Sequence, residues 1–254
     1  PRPDVVVVLT TPPYLGLIPV IVFGMRKKKK QNRQTSLNDV IRQRTKVVHW
    51  IMDLYPDVMD AHGLLKQKNI VYKILCFMNR IMFSRSDAIL ALGPSMIDRI
   101  EKYIEHGAEN APLAKWVPLW GDPDLKRLSE SEALVIRSKY GWKEDEFVLM
   151  HAGNIGLGVC LSEFLTVADK LGQEGPVWAF FGGGKRRDEL QQFLQSHKNA
   201  RIELHDYAPK TILGAADVHL VSLLSSWTGV GVPSKLQNIF AMGKPVIFMG
   251  SFKS

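Results

Sequence analysis

The chain has 254 residues, of which 46% are hydrophobic and 23% charged, with 20 Gly, 14 Pro, 2 Cys and a net charge of +8. This composition excludes a disordered, collagen-like or coiled-coil chain and allows one large globular domain or two of ordinary size. Cys76 and Cys160 form no CxxC pattern, so the sequence indicates neither a disulfide scaffold nor a zinc site and fits a reducing cytoplasm.

The positive charge lies in one half of the chain. Residues 1–120 hold 18 Lys and Arg against 10 Asp and Glu, whereas residues 121–254 hold 15 against 15. In the basic half, the apolar run Leu15–Met25 ends in the cations Arg26–Lys30. This pattern is typical of attachment to an anionic membrane surface, because a span needs about 20 apolar residues. No signal-peptide pattern precedes the first strand.

The first half alternates between predicted strands and helices. Val5–Leu9 is a β-branched run of the kind that is buried on both faces of a parallel sheet, and two further strands are predicted at Val47–Met52 and Ala88–Ala91. The predicted helices are Leu15–Met25, Ile70–Phe83 and Ser95–Glu105.

Turn-forming residues gather at Val117–Asp124, which predicts a linker between an N-terminal domain, residues 1–120, and a C-terminal domain, residues 121–254. The strands predicted after the linker are Phe147–Ala152, Val177–Phe181, Ile202–Leu204, Val218–Val221 and Pro245–Phe248. The helices predicted there are Leu161–Leu171, Lys185–Ser196, Thr211–Ala215 and Ser234–Ala241. The pattern implies two doubly wound α/β units. Both are expected to be truncated, because the chain opens on a strand and stops directly after one.

A glycine-rich turn, His151–Gly158, follows the first strand of the second half and precedes a helix. Its glycines would let a phosphate approach free N–H groups at the helix N-terminus. The GxxGxG spacing differs from the dinucleotide fingerprint GxGxxG, and no acid ends the next strand, so NAD is disfavoured. A tight turn that binds nothing explains the same residues.

Two further turns place cations at predicted helix starts. Three glycines lead into Lys185 and Arg186, and positive charge is unfavourable at a helix N-terminus unless an anion lies nearby. Pro233 is placed to begin a helix with Ser234 and Lys235 on its first turn, where a diphosphate would fit. A solvated basic face and a Ser-capped helix are the plainer explanations.

Two carboxylates, Asp53 and Asp57, follow the second predicted strand, at the sheet edge where open α/β proteins bind ligands. Such a carboxylate binds a hydroxyl group or caps a helix, and the sequence leaves both interpretations open. The chain contains no HExxH, GxSxG or Walker motif, so hydrolase and NTPase functions have no support.

Four blocks of sequence carry a resemblance to a known family. They are Pro3–Pro13, Asp53–Pro56, Gly153–Gly156 and the combination of Ala216–Leu220, Val232–Leu236 and Ala241–Val246. Together they resemble the retaining, nucleotide-sugar-dependent glycosyltransferases of GT-B fold, in particular bacterial enzymes of surface-polysaccharide assembly related to fucosamine transferases. The last block is the most specific, because both its residue order and its spacing match.

The resemblance implies two Rossmann-like domains that face each other across a cleft. The C-terminal domain would hold a nucleotide-sugar donor, and the N-terminal domain would hold a lipid-linked or oligosaccharide acceptor. No cofactor or metal is implied, because cations and a helix N-terminus neutralise the leaving group. The implied catalytic residues are Asp53, Lys185 and Lys235, and the implied donor-binding residues are Gly153, Asn154, Gly156, Arg186 and Ser234. A cytoplasmic protein, peripheral on the inner face of the plasma membrane, is expected.

The sequence departs from the family pattern at several positions. Family members often carry a Glu near Thr228–Val230 and another at the position of Asn238, and many have a cation after Gly156. A second interpretation is therefore a catalytically degenerate member that binds sugar nucleotide or glycan as an interaction module. A third, nucleic-acid binding through the basic half, is not expected, because the run Arg26–Lys30 contains no aromatic residue.

Overall fold

The structure is a computed structural model that describes residues 2–23, 45–105 and 111–253. The chain divides into two compact units. Unit 1 consists of Pro1–Pro118, Ser226–Val232 and Lys253–Ser254, and unit 2 consists of Leu119–Ser225 and Pro233–Phe252. The return of Ser226–Val232 to unit 1 was not predicted, since a short segment without regular structure gives no periodic signal.

Unit 1 is built on a four-stranded parallel sheet in the order β1-β2-β3-β4. The strands are β1 Val5–Leu9, β2 Lys46–Trp50, β3 Ala88–Ala91 and β4 Leu113–Trp116. The helices are α1 Leu17–Phe23, α2 Asp57–Ala61, α3 Ile70–Ser84 and α4 Pro94–Ile100, which continues as the 3-10 turn Glu101–Tyr103. Helix α3 begins where the Asn69 side chain accepts a hydrogen bond of 2.8 Å from the Val71 N–H, which satisfies one of the free donors of the first turn.

The prediction that β1 is buried on both faces is wrong. Val5, Val7 and Leu9 are 49%, 57% and 45% exposed, whereas Val8 is buried. Among the described elements, β1 lies at the edge of the sheet and only the face that carries Val8 is covered. The end of the apolar run and all of Arg26–Lys30 lie outside the described residues.

Unit 2 is built on a five-stranded parallel sheet in the order β7-β6-β5-β8-β9. The strands are β5 Val148–Ala152, β6 Val177–Phe181, β7 Ile202–His205, β8 Val218–Leu223 and β9 Val246–Gly250. The helices are α5 Glu130–Lys139, α6 Leu161–Leu171, α7 Arg187–Ser196 and α8 Lys235–Ala241, with 3-10 turns at Lys210–Ala215 and Ser225–Trp227. Helices α7 and α8 begin two residues and one residue later than predicted.

Apolar layers cover both faces of the unit 2 sheet. Trp178 and Phe180 of β6 pack with Phe164 of α6 on one face, and Ala179 and Phe181 pack with Trp142 and the Ile212 turn on the other. Because successive strand residues point to opposite faces, the unbroken apolar run of β6 supplies both layers. The two parallel-sheet α/β units confirm the predicted fold class.

Candidate functional site

The strand order of unit 2 reverses between β5 and β8. The chain builds outward from β5 through β6 to β7 and then crosses to β8 on the other side. β5 and β8 pair only at Leu149–Val218 and Met150–His219, so the ladder ends before their carboxyl ends. In open α/β sheets, ligands bind in the crevice at this reversal.

Lys235 and His151 meet at this place. His151 follows the last β5–β8 pair and is buried. The Lys235 ammonium, at the start of α8, donates a hydrogen bond of 3.0 Å to His151 Nε2. It also lies 3.7 Å from the position that a Cβ would take on Gly153. The sequence-predicted Lys235 and Gly153 are therefore brought together, and His151 is a site residue that sequence analysis missed.

The two side chains share a poorly solvated environment that disfavours charge. Burial lowers the pKa of Lys235 to about 7. Burial, together with the nearby Lys235 charge, lowers the pKa of His151 to about 3, so His151 is neutral and accepts the hydrogen bond. No carboxylate in the described parts of the chain forms an ion pair with Lys235. A desolvated cation without an anion is costly, and an anionic ligand would remove that cost.

The glycine loops after β5 and β6 hold each other in place. The Ile155 N–H donates to the Gly183 carbonyl at 2.7 Å, and the Arg186 N–H donates to the Ile155 carbonyl at 3.0 Å. A Cβ on Gly182 would stand 2.2 Å from the Gly153 carbonyl oxygen. The glycines thus have a packing role in joining the loops, whether or not a phosphate binds there.

Asn154 and Gly156 lie in the same pair of loops. A Cβ on Gly156 would stand 3.0 Å from the Asn154 side-chain amide nitrogen, and one on Gly184 would stand 2.3 Å from Asn154 Oδ1. Asn154 is exposed at the turn. These contacts place Asn154 between the two loops, and its predicted role toward the donor phosphates stays a prediction.

The predicted cations after β6 have different surroundings. The Arg186 guanidinium donates to both carboxylate oxygens of Glu189, at 2.7 and 2.6 Å, and to the Val159 carbonyl. These contacts use one N–H donor on each guanidinium nitrogen within unit 2 and pair the positive charge at the start of α7 with Glu189, and the predicted role of Arg186 toward the donor stays a prediction. Lys185, the other predicted cation of this turn, is exposed. Its ammonium is therefore open to a ligand.

Helix α8 begins after Pro233 and Ser234. Ser234 takes the N-cap position, but its exposed side chain makes no capping hydrogen bond. The Leu236 N–H instead donates to the Pro233 carbonyl at 3.1 Å. Later in the helix, Asn238 Oδ1 accepts a hydrogen bond of 2.8 Å from the Asp122 N–H. The side chain that stands where many family members have Glu therefore anchors the segment that enters unit 2.

Asp53 lies in unit 1, after the carboxyl end of β2. Its N–H and that of Met52 both donate to the Thr10 hydroxyl oxygen, at 3.2 and 3.1 Å. Burial raises the pKa of the Asp53 carboxyl, and the nearby His62 partly opposes that shift. Asp53, Thr10 and Asn79 line a small cavity of about 20 Å³, enough for one water molecule. A carboxylate there can accept a hydrogen bond from a hydroxyl group.

Asp57, the second candidate carboxylate, has structural partners. It is buried and accepts hydrogen bonds from the Tyr103 hydroxyl at 2.6 Å and from Arg99 at 3.2 Å. Arg99 also donates to the Thr228 carbonyl at 2.7 Å, which ties the return segment to unit 1. Asp57 therefore holds α2, α4 and the return segment of unit 1 together.

Within residues 2–23, 45–105 and 111–253, no group of three or more His, Cys, Asp or Glu side chains is arranged to hold a metal ion. No helix in these ranges has the length and apolar character needed to cross a membrane.

Comparisons with known proteins point to one class. No protein-family profile matches the chain. WbjE of Pseudomonas aeruginosa, named as a glycosyltransferase, is 23% identical over 205 residues, which are 78% of this chain and 50% of WbjE. WcaI of Escherichia coli, named as a colanic acid biosynthesis glycosyl transferase, is 27% identical over 164 residues, which are 62% of this chain and 39% of WcaI. The chain thus spans no more than half the length of these relatives.

Solved structures show the same likeness in fold. WaaG, a glycosyltransferase involved in lipopolysaccharide biosynthesis, superposes with a TM-score of 0.59 at 17% identity, over 80% of this chain and 59% of WaaG. HepE of Anabaena, solved in complex with UDP, superposes with a TM-score of 0.57 at 14% identity, over 80% of this chain and 52% of HepE. The fold of the two units is therefore that of GT-B glycosyltransferases, and the sequence similarity supports a glycosyltransferase family for this chain.

Proposed function

We propose that the protein of this chain transfers a sugar from a nucleotide-sugar to a glycan acceptor. The observation that carries the proposal is the Lys235 ammonium at the β5–β8 reversal, desolvated and hydrogen-bonded to a neutral histidine. The diphosphate of a nucleotide-sugar supplies the missing anion. HepE, which shares the fold, was solved with UDP and with UDP-glucose, which supports this class of donor.

In the proposed reaction, the bond between the sugar C1 and the diphosphate oxygen breaks, and an acceptor hydroxyl oxygen bonds to C1. The hydroxyl proton leaves with the diphosphate. Lys235 stabilises the negative charge that develops on the leaving diphosphate, with Lys185 as a second cation. In unit 1, the Asp53 carboxylate accepts a hydrogen bond from an acceptor hydroxyl. We propose that the reaction proceeds without a metal ion.

The finer assignments rest on the sequence blocks. We propose retention at the anomeric carbon, a fucosamine-transferase-like subtype and a lipid-linked acceptor in surface-polysaccharide assembly. The names of WcaI and WaaG, which refer to colanic acid and lipopolysaccharide biosynthesis, support the polysaccharide context. Peripheral attachment to the inner face of the plasma membrane is part of the same proposal.

The first experiment measures the thermal shift of the protein with a panel of nucleoside diphosphates and nucleotide-sugars, and separately with short nucleic acids as alternative ligands. We expect at least one nucleotide-sugar to stabilise the wild type, and Lys235→Ala to lose most of that shift. Lys170→Ala, an exposed lysine on α6, is the matched control and should keep it. A shift with nucleic acids alone, or an equal shift in Lys235→Ala, would contradict the proposal.

A second candidate function is supported by Asn238. Because its side-chain oxygen is committed to the Asp122 N–H, it is not available to a donor sugar in the way a Glu would be. A degenerate member that binds nucleotide-sugar without transferring it fits this contact. Binding in the thermal-shift panel, without release of nucleoside diphosphate in the presence of lipid-linked glycan, would favour this function.

A further inference from the structure

His151 is a buried polar residue in a strand whose preceding positions are apolar. In β5 it follows Val148, Leu149 and Met150, and all four residues are buried. The His151 ring lies 5.9 Å from the ring of Phe180, its partner on β6. A buried imidazole costs free energy unless its ring nitrogens find hydrogen-bond partners. The core of unit 2 holds this ring in place, and the partners of the ring indicate what it does.

The partners of the ring fix the position of its proton. His151 Nε2 lies 3.0 Å from the Lys235 ammonium, which can only donate. Backbone hydrogen bonds at Asn154 and Leu220 oppose the lowering of the His151 pKa, as carbonyl oxygens near a ring N–H do. A neutral imidazole has one N–H and one lone pair. The ring proton therefore lies on Nδ1, and Nε2 accepts from Lys235.

A neutral acceptor leaves more of Lys235 to a ligand than a carboxylate would. An Asp or Glu in the place of His151 would hold the ammonium equally well, but it would cancel the charge and compete with an anionic ligand. The imidazole uses one of the three ammonium N–H donors and leaves the charge and two donors free. It also holds a flexible lysine side chain in one place, which lowers the entropy lost when a ligand binds.

We propose that His151 is the positioning residue of Lys235: it holds the ammonium at the β5–β8 reversal without neutralising it, so that the full charge stays available to a diphosphate. The inference rests on the function proposed above for Lys235. It adds the residue that orients this cation and a reason why a histidine occupies a core position of β5.

A second buried histidine lies near the pair. His219 of β8 is buried, and its Nε2–H donates to the Leu213 carbonyl at 2.9 Å. Burial lowers the His219 pKa to about 4, and the charges of Lys244 and Lys235 add to that effect. His151 and His219 are therefore both neutral at pH 7, and Lys235 is the member of this trio that titrates there.

The first measurement needs no ligand. An NMR titration of the full chain with isotope-labelled lysine gives the pKa of Lys235, whose signal is assigned by its absence in Lys235→Ala. His151→Leu removes the acceptor of the ammonium and should lower this pKa by about one to two units. His151→Gln supplies a neutral amide oxygen and should restore most of the loss. His151→Glu supplies a negative charge and should raise the pKa by about one unit or more.

The matched control is His49→Leu. His49 is a buried histidine of β2 in unit 1, where burial lowers its pKa to about 4. Its replacement removes a buried neutral imidazole from the other sheet, so it should leave the pKa of Lys235 unchanged. Circular dichroism and thermal melts establish that each variant is folded.

The second measurement is calorimetric titration at pH 7 with inorganic pyrophosphate and with UDP-glucose. His151→Leu should weaken the binding of both by about tenfold or more, because less of Lys235 is charged. His151→Gln should bind nearly as the wild type does. His151→Glu should bind weakest although its lysine is fully charged, because the new carboxylate takes the place of the ligand.

An unchanged Lys235 pKa in folded His151→Leu and His151→Glu would overturn the proposal, because His151 would then only fill the core. Equal affinities of the wild type and His151→Glu for UDP-glucose would overturn it as well. A wild type that binds neither probe would contradict the proposed function, whereas the pKa measured without ligand decides by itself whether His151 holds the charged form of Lys235.

Discussion

Lys235 gives the proposed donor site a calculable pH dependence. Its pKa in the free protein is about 7, so above pH 7 the ammonium loses its proton, whereas a bound diphosphate favours the charged form. Each binding event above pH 7 must then take up a proton. The affinity for a nucleotide-sugar should fall by about tenfold per pH unit above 7, until the raised pKa of the complex is reached.

Lys235→Ala should lower the affinity for the nucleotide-sugar and remove its pH dependence. A hydrogen bond to a charged group contributes about 1.5–3 kcal/mol, and about 1.4 kcal/mol is a factor of ten. The variant should therefore bind about ten- to a hundredfold more weakly at pH 7. Between pH 7 and about 8.5 its affinity should stay level, because the neighbouring His151, with a pKa of about 3, does not titrate there.

Calorimetric titration with UDP-glucose measures both effects. Its diphosphate is a diester and keeps its charge across this pH range, and titration in two buffers of different ionisation enthalpy counts the protons taken up. Lys170→Ala should match the wild type in affinity and in proton uptake. The reasoning is refuted if the wild type binds without proton uptake above pH 7, or if Lys235→Ala retains the same pH slope.

Three further changes test other parts of the structure. Gly153→Ala should lower the free energy of unfolding by about 1–3 kcal/mol, because Gly153 has φ of 126°. Gly183→Ala is the control, because the nearest atom to its Cβ would be a Tyr207 ring carbon at 3.4 Å, an ordinary van der Waals contact. Equal losses for the two variants in denaturant titrations would contradict this. Neutralising Lys27–Lys30 together should weaken binding to anionic vesicles by about 1 kcal/mol per residue, and the loss should be smaller in high salt. Vesicle sedimentation of the wild type that does not depend on salt would contradict this prediction. Arg201 holds the pKa of Glu146 at about 2, so this pair should stabilise the fold above about pH 4.5 and lose that contribution as the pH falls toward 2. If the melting temperature of an Arg201→Met variant falls by the same amount as that of the wild type between pH 4.5 and 2, the effect is excluded.

Local sequence signals predicted three of the strands at their observed bounds. β1, β3 and β6 occur at the predicted bounds, because continuous apolar runs between turn formers have few alternatives. Strand β4 was missed, since it has only four residues and most are exposed. Helix α5 was missed although its signal was present: Ser129 and Glu132 form a capping box, the pattern that marks a helix start.

The candidate site was predicted only where its residues are neighbours in the sequence. The Pro-Ser-Lys turn indicated Lys235, but its partner His151 is 84 residues away along the chain, and no periodicity indicates which strand residue faces α8. The commitment of Arg186 to Glu189 had a local signal, because residues three apart on a helix are neighbours. The anchoring contact of Asn238 with Asp122 depends on tertiary packing alone.

The divergence of β5 and β8 has a consequence for how new specificities arise on this scaffold. The crevice is produced by strand order, whereas the residues at it come from the end of β5, the glycine loops that follow β5 and β6, and the start of α8. On the proposed function, exposed loop residues such as Asn154 and Lys185 can therefore change to suit a different sugar or base without repacking Phe180 or Phe181. Drift in the loops abolishes transfer just as readily and leaves an intact fold behind, so active and inactive descendants of one ancestor would share the same core.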